Sequence, residues 1–352
     1  MSETIPVAVM GAGHMGRYHA QRYAQMAGVR VAAIVDTNVE RARALAEPLG
    51  ARWAAAFCPE LGDIVAASVA VPTVHHLAVA RPLIEAGVAV LIEKPLAPNV
   101  ADAEQIAELA ARRNVLVQVG HTERFNPAVQ AVERLGVQPK FIETHRISPF
   151  TFRSADVGVV FDMMIHDIDI LLHLMRDEVV RVDAVGVNVL GPHEDIANAR
   201  VSFRRGAVAN LTASRLALKT ERKLRVFSET AYVSLDYQKK AGIAVTRDRN
   251  LDVLQMARER NMQDLSQMAG LDFGKLVHIE PLMIDPRDPL EAELEAFIDC
   301  VRNRRTPPVS AADGVAAVRL AAQIVESLSA HNWDGAEGQR IGLSADIFGS
   351  SR

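Results

Sequence analysis

Three glycines constrain the first part of this chain more than any other feature. Gly11, Gly13 and Gly16 follow directly on an apolar run, Ile5–Met10, and open a helical pattern over His14–Ala27. In a strand–turn–helix unit of this kind the first glycine permits a tight turn. The second lets the backbone approach a pyrophosphate, and the third lets helix and strand pack closely. The helix then begins at His14 and Met15, presenting free N–H groups and a partial positive charge to phosphate. Four more apolar runs follow, Val29–Val35, Ala66–Val71, Val88–Ile92 and Val115–Val119. They lack polar alternation, as strands of a parallel sheet covered on both faces do. Helical patterns at Val39–Leu49, Val74–Ala86 and Ala101–Arg113 separate them, with Gly87 placed to end the third helix and Asn99 to cap the fourth. Alternating strands and helices of this length predict a doubly wound α/β sheet.

Asp36 ends the second run, 20 residues beyond Gly16. A carboxylate there accepts both hydroxyls of an adenosine ribose and repels a 2′-phosphate, so the expected cofactor is NAD rather than NADP. The alternative is that Asp36 only caps the helix after it.

After Gly120 the pattern changes. Phe141–Ser148, Val179–Val189, Ala197–Phe203, Ala207–Leu218, Lys223–Ser228 and Ala231–Tyr237 are strand-like with partial alternation, and Arg204–Gly206 resembles a hairpin turn. Strands that succeed one another without helices between them predict a mainly antiparallel sheet. Helical patterns at Val159–Leu174, Leu251–Met268, Leu290–Arg302 and Ala312–Ser329 make the second unit α+β. The expected division is a dinucleotide-binding domain over 1–122 and a substrate-binding domain over 123–352.

The 352 residues suffice for two cores, and 49% hydrophobic with 23% charged residues is ordinary globular composition. Thirty-nine basic against 43 acidic residues give a net charge of −4. The chain as a whole therefore has no attraction for nucleic acid or an anionic membrane. No run approaches the roughly 20 apolar residues of a membrane span. Cys58 and Cys300 are the only cysteines and lack metal-ligand spacing, so neither a metal nor a disulfide framework is expected. The N-terminal segment has no basic stretch ahead of its short apolar run, and a cytoplasmic location is expected.

Two clusters carry chemistry. Glu93-Lys94-Pro95 closes the Val88–Ile92 strand at the carboxyl edge, where ligands of such sheets bind. An ammonium beside an oxidised nicotinamide has a lowered pKa and can polarise a reacting oxygen; a merely solvated strand end is the plain alternative. Asp162 and His166 are four apart, which stacks them on one helix face, with Asp169 near that face. Removing hydride from a secondary alcohol needs a base for the hydroxyl proton, and histidine serves near neutral pH. Asp162 then orients substrate or biases the imidazole, and Asp167 is the other candidate partner for that ring. Among Met163, Met164, Ile165 and Ile168, a satisfied core histidine is the competing reading.

GAGHMGRYH at Gly11–His19, VAVPTVHH at Val69–His76, EKP at Glu93–Pro95 and Asp162-x-x-x-His166 together resemble the glucose–fructose oxidoreductase/inositol dehydrogenase (Gfo/Idh/MocA) family, in order and over nearly the whole chain. The resemblance implies a Rossmann domain followed by an open antiparallel sheet that often forms the interface of a homo-oligomer, here a dimer or tetramer. It implies that Pro72, Thr73 and His76 line NAD, that Glu93 and Lys94 approach its nicotinamide, and that Lys94, Asp162 and His166 form the catalytic group. Many members carry glycines around the aspartate where this chain has Val159, Val160 and Met164, which leaves the helix entry open.

One branch is closer. GHTERFNP at Gly120–Pro127 and segments through residue 237 are similar to the UDP-N-acetylglucosamine 3-dehydrogenases, which serve synthesis of lipid A with 2,3-diamino sugars. That similarity implies oxidation of a sugar-nucleotide 3-hydroxyl. Arginine is the natural partner of a diphosphate. The domain supplies Arg124, Arg146, Arg153, Arg215, Lys219, Arg222, Lys223 and Arg225. Arg124 and Arg153 are the stronger choices, with Asn126 beside the former. The 215–225 run equally suits a solvated sheet face. A dehydrogenase of a free polyol or inositol, and a non-catalytic NAD-binding sensor, are the alternatives.

Overall fold

A computed structural model describes residues 4–151, 157–190, 192–247 and 277–331. The expected helix over Leu251–Met268 and the predicted Arg153 lie outside them.

The first domain builds β1 (Ile5–Met10), α1 (His14–Gln25), β2 (Val29–Val35), α2 (Val39–Ala46), β3 (Arg52–Ala54), β4 (Ala66–Val69), α3 (His76–Glu85), β5 (Ala89–Glu93), α4 (Val100–Arg113) and β6 (Val117–Gly120). Its six strands lie in the order β3-β2-β1-β4-β5-β6, all parallel. Strands β4, β5 and β6 are buried along their whole length, so both faces are covered and no alternation survives in the sequence. Asn99 caps α4 by accepting from Asp102 N, and Gly87 sits at φ +79° after α3. Only β3 escapes the sequence pattern, because Arg52-Trp53-Ala54 is short and half polar at a sheet edge.

The second domain contributes α5 (Pro127–Arg134), β7 (Phe141–Ile147), a π-helical turn at Val160–Met164, α6 (Ile165–Met175), β8 (Val179–Val187), β9 (Ile196–Phe203), β10 (Val208–Ser214), β11 (Glu221–Phe227), β12 (Ala231–Asp236), β13 (Ala241–Arg247) and β14 (Val277–Pro281). The strands form one sheet in the order β14-β13-β12-β11-β7-β10-β9-β8, antiparallel except for β7 beside β10. Alternating burial along β7, β9 and β10 turns one face to the core and leaves the other open. Helix α5 was not legible as such, although Asn126-Pro127 is an N-cap followed by proline at the first helical position.

Val159, Val160 and Met164 are fully buried and enter the helix through that π turn. Glu194 anchors the entry: its backbone oxygen accepts from Val159 N and its side chain from Val160 N, both at 3.1 Å.

Two C-terminal helices, α7 (Pro289–Asn303) and α8 (Ala311–Ala330), join the domains. Asp288 caps α7 ahead of Pro289, and Ser310 with Asp313 forms a capping box on α8. Leu294, Phe297 and Ile298 of α7 complete the core on one face of the parallel sheet with Val7 and Ile34. Val315 and Val318 of α8 enter the core on the opposite face with Ile92 and Val119. Another side of α8, through Leu320, Ala321 and Ile324, enters the second domain's core with Ile168 and Val201. Each such Leu, Ile or Phe, fully buried, contributes about 1.5–3 kcal/mol. A boundary at 122/123 thus separates the two sheets but not their cores. Among the described residues no helix is long and apolar enough to cross a membrane.

Candidate active site

The strand order reverses at β1, whose neighbours are β2 and β4. Loops leaving the carboxyl ends of β1, β4 and β5 meet at that switch point, the place where open α/β sheets bind ligands. The glycine loop leaves β1. Gly11 has φ +99°, and a Cβ there would lie 2.6 Å from Ala70 O. A Cβ on Gly16 would lie 1.7 Å from Gly11 O, so loop and helix touch backbone to backbone. Around Gly13 a Cβ would meet nothing within 4 Å. No side chain caps α1, and its first turn, His14 and Met15 included, holds no acidic residue. An open cradle at an uncapped helix N-terminus fits a pyrophosphate.

Asp36, at the end of β2, holds this loop. Its Oδ2 accepts from Ala12 N at 2.7 Å and its Oδ1 from Asn38 N at 2.8 Å. The capping role belongs instead to Asn38, whose side chain accepts from Arg41 N. Pro72 and Thr73 stand in the turn after β4. His76, in the same turn, is buried, with Nδ1 3.0 Å from Pro95 O and Nε2 3.0 Å from Val71 O. It therefore ties the β4 turn to the Glu93-Lys94-Pro95 segment.

Glu93 is buried, 3.0 Å from His19 Nε2, and its Oε2 accepts from Lys94 N. Burial opposes its charge, yet His19 and Lys94 hold it below the usual carboxylate range. Lys94 then reaches across to the second domain. Its Nζ donates to Asp162 O at 2.7 Å and lies 3.6 Å from Asp162 Oδ1. Burial pulls the ammonium below the ordinary lysine range against the opposing attraction of Asp162 and Glu93.

Lys94, Asp162 and His166 line one cavity of about 510 Å³ between the domains. Burial, and then the charges of Lys94 and Arg146, hold the His166 imidazole well below its ordinary range. Its Nδ1 is buried and has no hydrogen-bond partner among the described residues. Asp167, the alternative partner for this ring, is taken elsewhere: Arg146 grips it bidentately, with both contacts at 2.9 Å. Asp162 instead anchors Lys94.

The predicted substrate residues separate. Asn126 lines the cavity, where its Nδ2 donates to Glu123 while its Oδ1 caps α5. Arg124 does not line it; the guanidinium is buried and paired bidentately with Asp169, which does not line the cavity either. The sequence position of Arg124 carries no information about a partner 45 residues away. Glu123, Ser148, Thr151 and the start of α7 at Asp288–Leu290 also line the cavity. Asp288 caps α7 ahead of Pro289, but nothing local in the sequence reveals that this start faces the site.

Comparison with known proteins agrees with this architecture. Residues 5–121 match the model of the oxidoreductase family with an NAD-binding Rossmann fold, and residues 138–234 match the GFO/IDH/MocA C-terminal domain. The chain is 34% identical over 319 residues to the UDP-N-acetylglucosamine 3-dehydrogenase of Acidithiobacillus ferrooxidans, covering 90% of this chain and 94% of that one. A solved structure of that enzyme superposes with a TM-score of 0.81 at 32% identity, over 92% of this chain and 97% of the other. The myo-inositol 2-dehydrogenase of Thermotoga maritima is 26% identical over 345 residues, covering 92% of this chain and 96% of that protein. Glycine loop, Glu93-Lys94-Pro95 segment, interdomain cavity and sequence likeness converge: the chain belongs to the Gfo/Idh/MocA family of NAD-binding oxidoreductases.

Proposed function

We propose that this chain oxidises the 3-hydroxyl of UDP-N-acetylglucosamine to the 3-keto sugar nucleotide, within the supply of precursors for lipid A. The observation that carries this reading is the cavity itself. A neutral histidine, a lysine and an aspartate converge in it, and its wall also presents Arg146, Arg215 and Arg222. Likeness over nearly full length to an enzyme of that name supports the same substrate.

NAD, when bound, supplies the hydride acceptor. Its pyrophosphate belongs at Gly11, Gly13 and Gly16, with His14 and Met15 in the first helical turn. Its ribose belongs at Asp36, its nicotinamide half beside Pro72, Thr73, Glu93 and Lys94. His166 accepts the hydroxyl proton, because its depressed pKa leaves the imidazole neutral at pH 7. The Lys94 ammonium, held by Asp162, stabilises the charge that develops on the same oxygen.

Both NAD and a nucleotide sugar are cytoplasmic metabolites, which supports a cytoplasmic location. The open face of the second sheet exposes Val185, Ile196, Ile243 and Ile279. It also carries a row of aromatic rings, Phe141, Phe227 and Tyr232, at 5.7 and 4.8 Å between centroids. Such a face supports a homo-oligomer built through this sheet. The test of substrate is NADH absorbance with UDP-N-acetylglucosamine against myo-inositol. Turnover of inositol without the nucleotide sugar overturns the reading in favour of a polyol dehydrogenase.

A further inference from the structure

Four cationic side chains line the cavity among the described residues, and three are already committed. Lys94 is bound to Asp162. Arg146, 5% exposed, is held by Asp167 and by Glu123 Oε1 at 3.0 Å. Arg215, also 5% exposed, is held by Asp195 at 2.6 Å and donates to Val157 O at 2.7 Å. Their guanidinium groups are structural, spent on buried carboxylates that would otherwise lack a counter-charge.

Arg222 differs. It stands on β11 directly opposite Arg146 of β7, a like-charge pairing that costs stability unless one member is neutralised. Asp167 grips Arg146 bidentately and Glu123 is shared between the two arginines, so Arg222 is the more weakly held cation on this part of the wall. Its side chain is 49% exposed, and its one ion pair among the described residues is a 3.7 Å approach to Glu123 Oε1. That carboxylate is already occupied: Oε1 receives Arg146 and Oε2 receives Asn126. A half-exposed guanidinium with a long, shared ion pair, at the rim of a cavity and within electrostatic reach of His166, is an anion receptor in waiting.

We propose that Arg222 binds the diphosphate of the substrate and so selects nucleotide sugars over neutral polyols. The proposal rests on the nucleotide-sugar reading above. Planar bidentate geometry suits arginine to two phosphate oxygens at once, and a neutral polyol makes no use of an accessible guanidinium there.

The test uses UDP alone as probe, titrated by calorimetry into the NAD-loaded protein, beside steady-state kinetics with UDP-N-acetylglucosamine. Wild type is compared with R222A, R222Q and R222K, each checked for an unchanged thermal melt. A charge-assisted hydrogen-bond pair sets the scale, so R222A and R222Q should weaken UDP binding and raise KM roughly ten- to hundredfold. R222K should fall between them and wild type. The kcat at saturating substrate and the affinity for NAD should stay within about threefold. Added salt should raise KM for wild type more than for R222Q, because a surface-accessible charge pair is screened. Equal UDP affinity in wild type, R222A and R222Q overturns the assignment while leaving the substrate reading intact. A fall in kcat with unchanged KM also overturns it. Wild-type protein that binds no UDP yet oxidises inositol overturns the substrate reading itself.

Discussion

Replacing His166 by asparagine removes the proposed base while keeping a polar side chain of similar reach. An imidazole at its ordinary pKa of about 6.5 is roughly 90% neutral at pH 7.5. In this site burial, Lys94 and Arg146 push the value well lower, so essentially every molecule carries a usable base. Losing a general base costs roughly 10²–10⁴ in kcat, or about 2.7–5.4 kcal/mol of barrier. The depressed pKa also sets the sign of the pH profile. Wild-type activity should hold as pH falls through 6.5 and decline only below it, in the range where His166 takes a proton. His166→Asn, by contrast, should gain about tenfold per pH unit as hydroxide takes over the proton. Lys94→Met should be equally slow, without that rescue, because no solvent species replaces a fixed cation beside Asp162. Stopped-flow NADH formation from pH 5.5 to 9.5 at saturating NAD, with NAD binding checked by fluorescence, measures all three. Rescue of the lysine variant at high pH, with a pH-independent histidine variant, refutes the assignment and makes Lys94 the base.

Gly13→Ala should leave the melting temperature unchanged, since its Cβ meets nothing within 4 Å, but should weaken NAD binding at least tenfold by titration. Gly16→Ala should instead lower stability by about 1–3 kcal/mol in urea denaturation, because its Cβ runs into Gly11 O. Glu293 is buried on α7, and its carboxyl is pushed well above the usual range by burial and then by Glu93. The folded chain therefore keeps a proton that the unfolded chain releases above about pH 4.3, so stability from this group is present below that value and lost as pH rises. Glu293→Gln should unfold at higher urea than wild type at pH 7.5, with the gap closing toward pH 4.5; an equal gap at both pH values contradicts this.

What the sequence by itself determined is local. The glycine loop, the strand alternation, Asn99 as a cap and the Asp162–His166 spacing are all set by a few neighbouring residues. Backbone geometry and side-chain periodicity there depend on the chain's own near neighbours, so the parallel sheet and the shared helix face of Asp162 and His166 are legible without knowledge of the packing. The ranking of the arginines was not. Arg124, Arg146, Arg215 and Arg222 look alike in sequence, and each guanidinium's role follows from a carboxylate that only folding delivers. Asp169 arrives from 45 residues away and Asp167 from 21. Asp195 takes Arg215, and Arg222 is left with a shared 3.7 Å approach. The same holds for α8, whose periodicity announces a buried stripe but not that the stripe divides between two cores. Charge pairing and core sharing are long-range events, decided by which surfaces exclude water together. Tertiary structure therefore determined which charges were spent on the fold and which one stood open in the cavity.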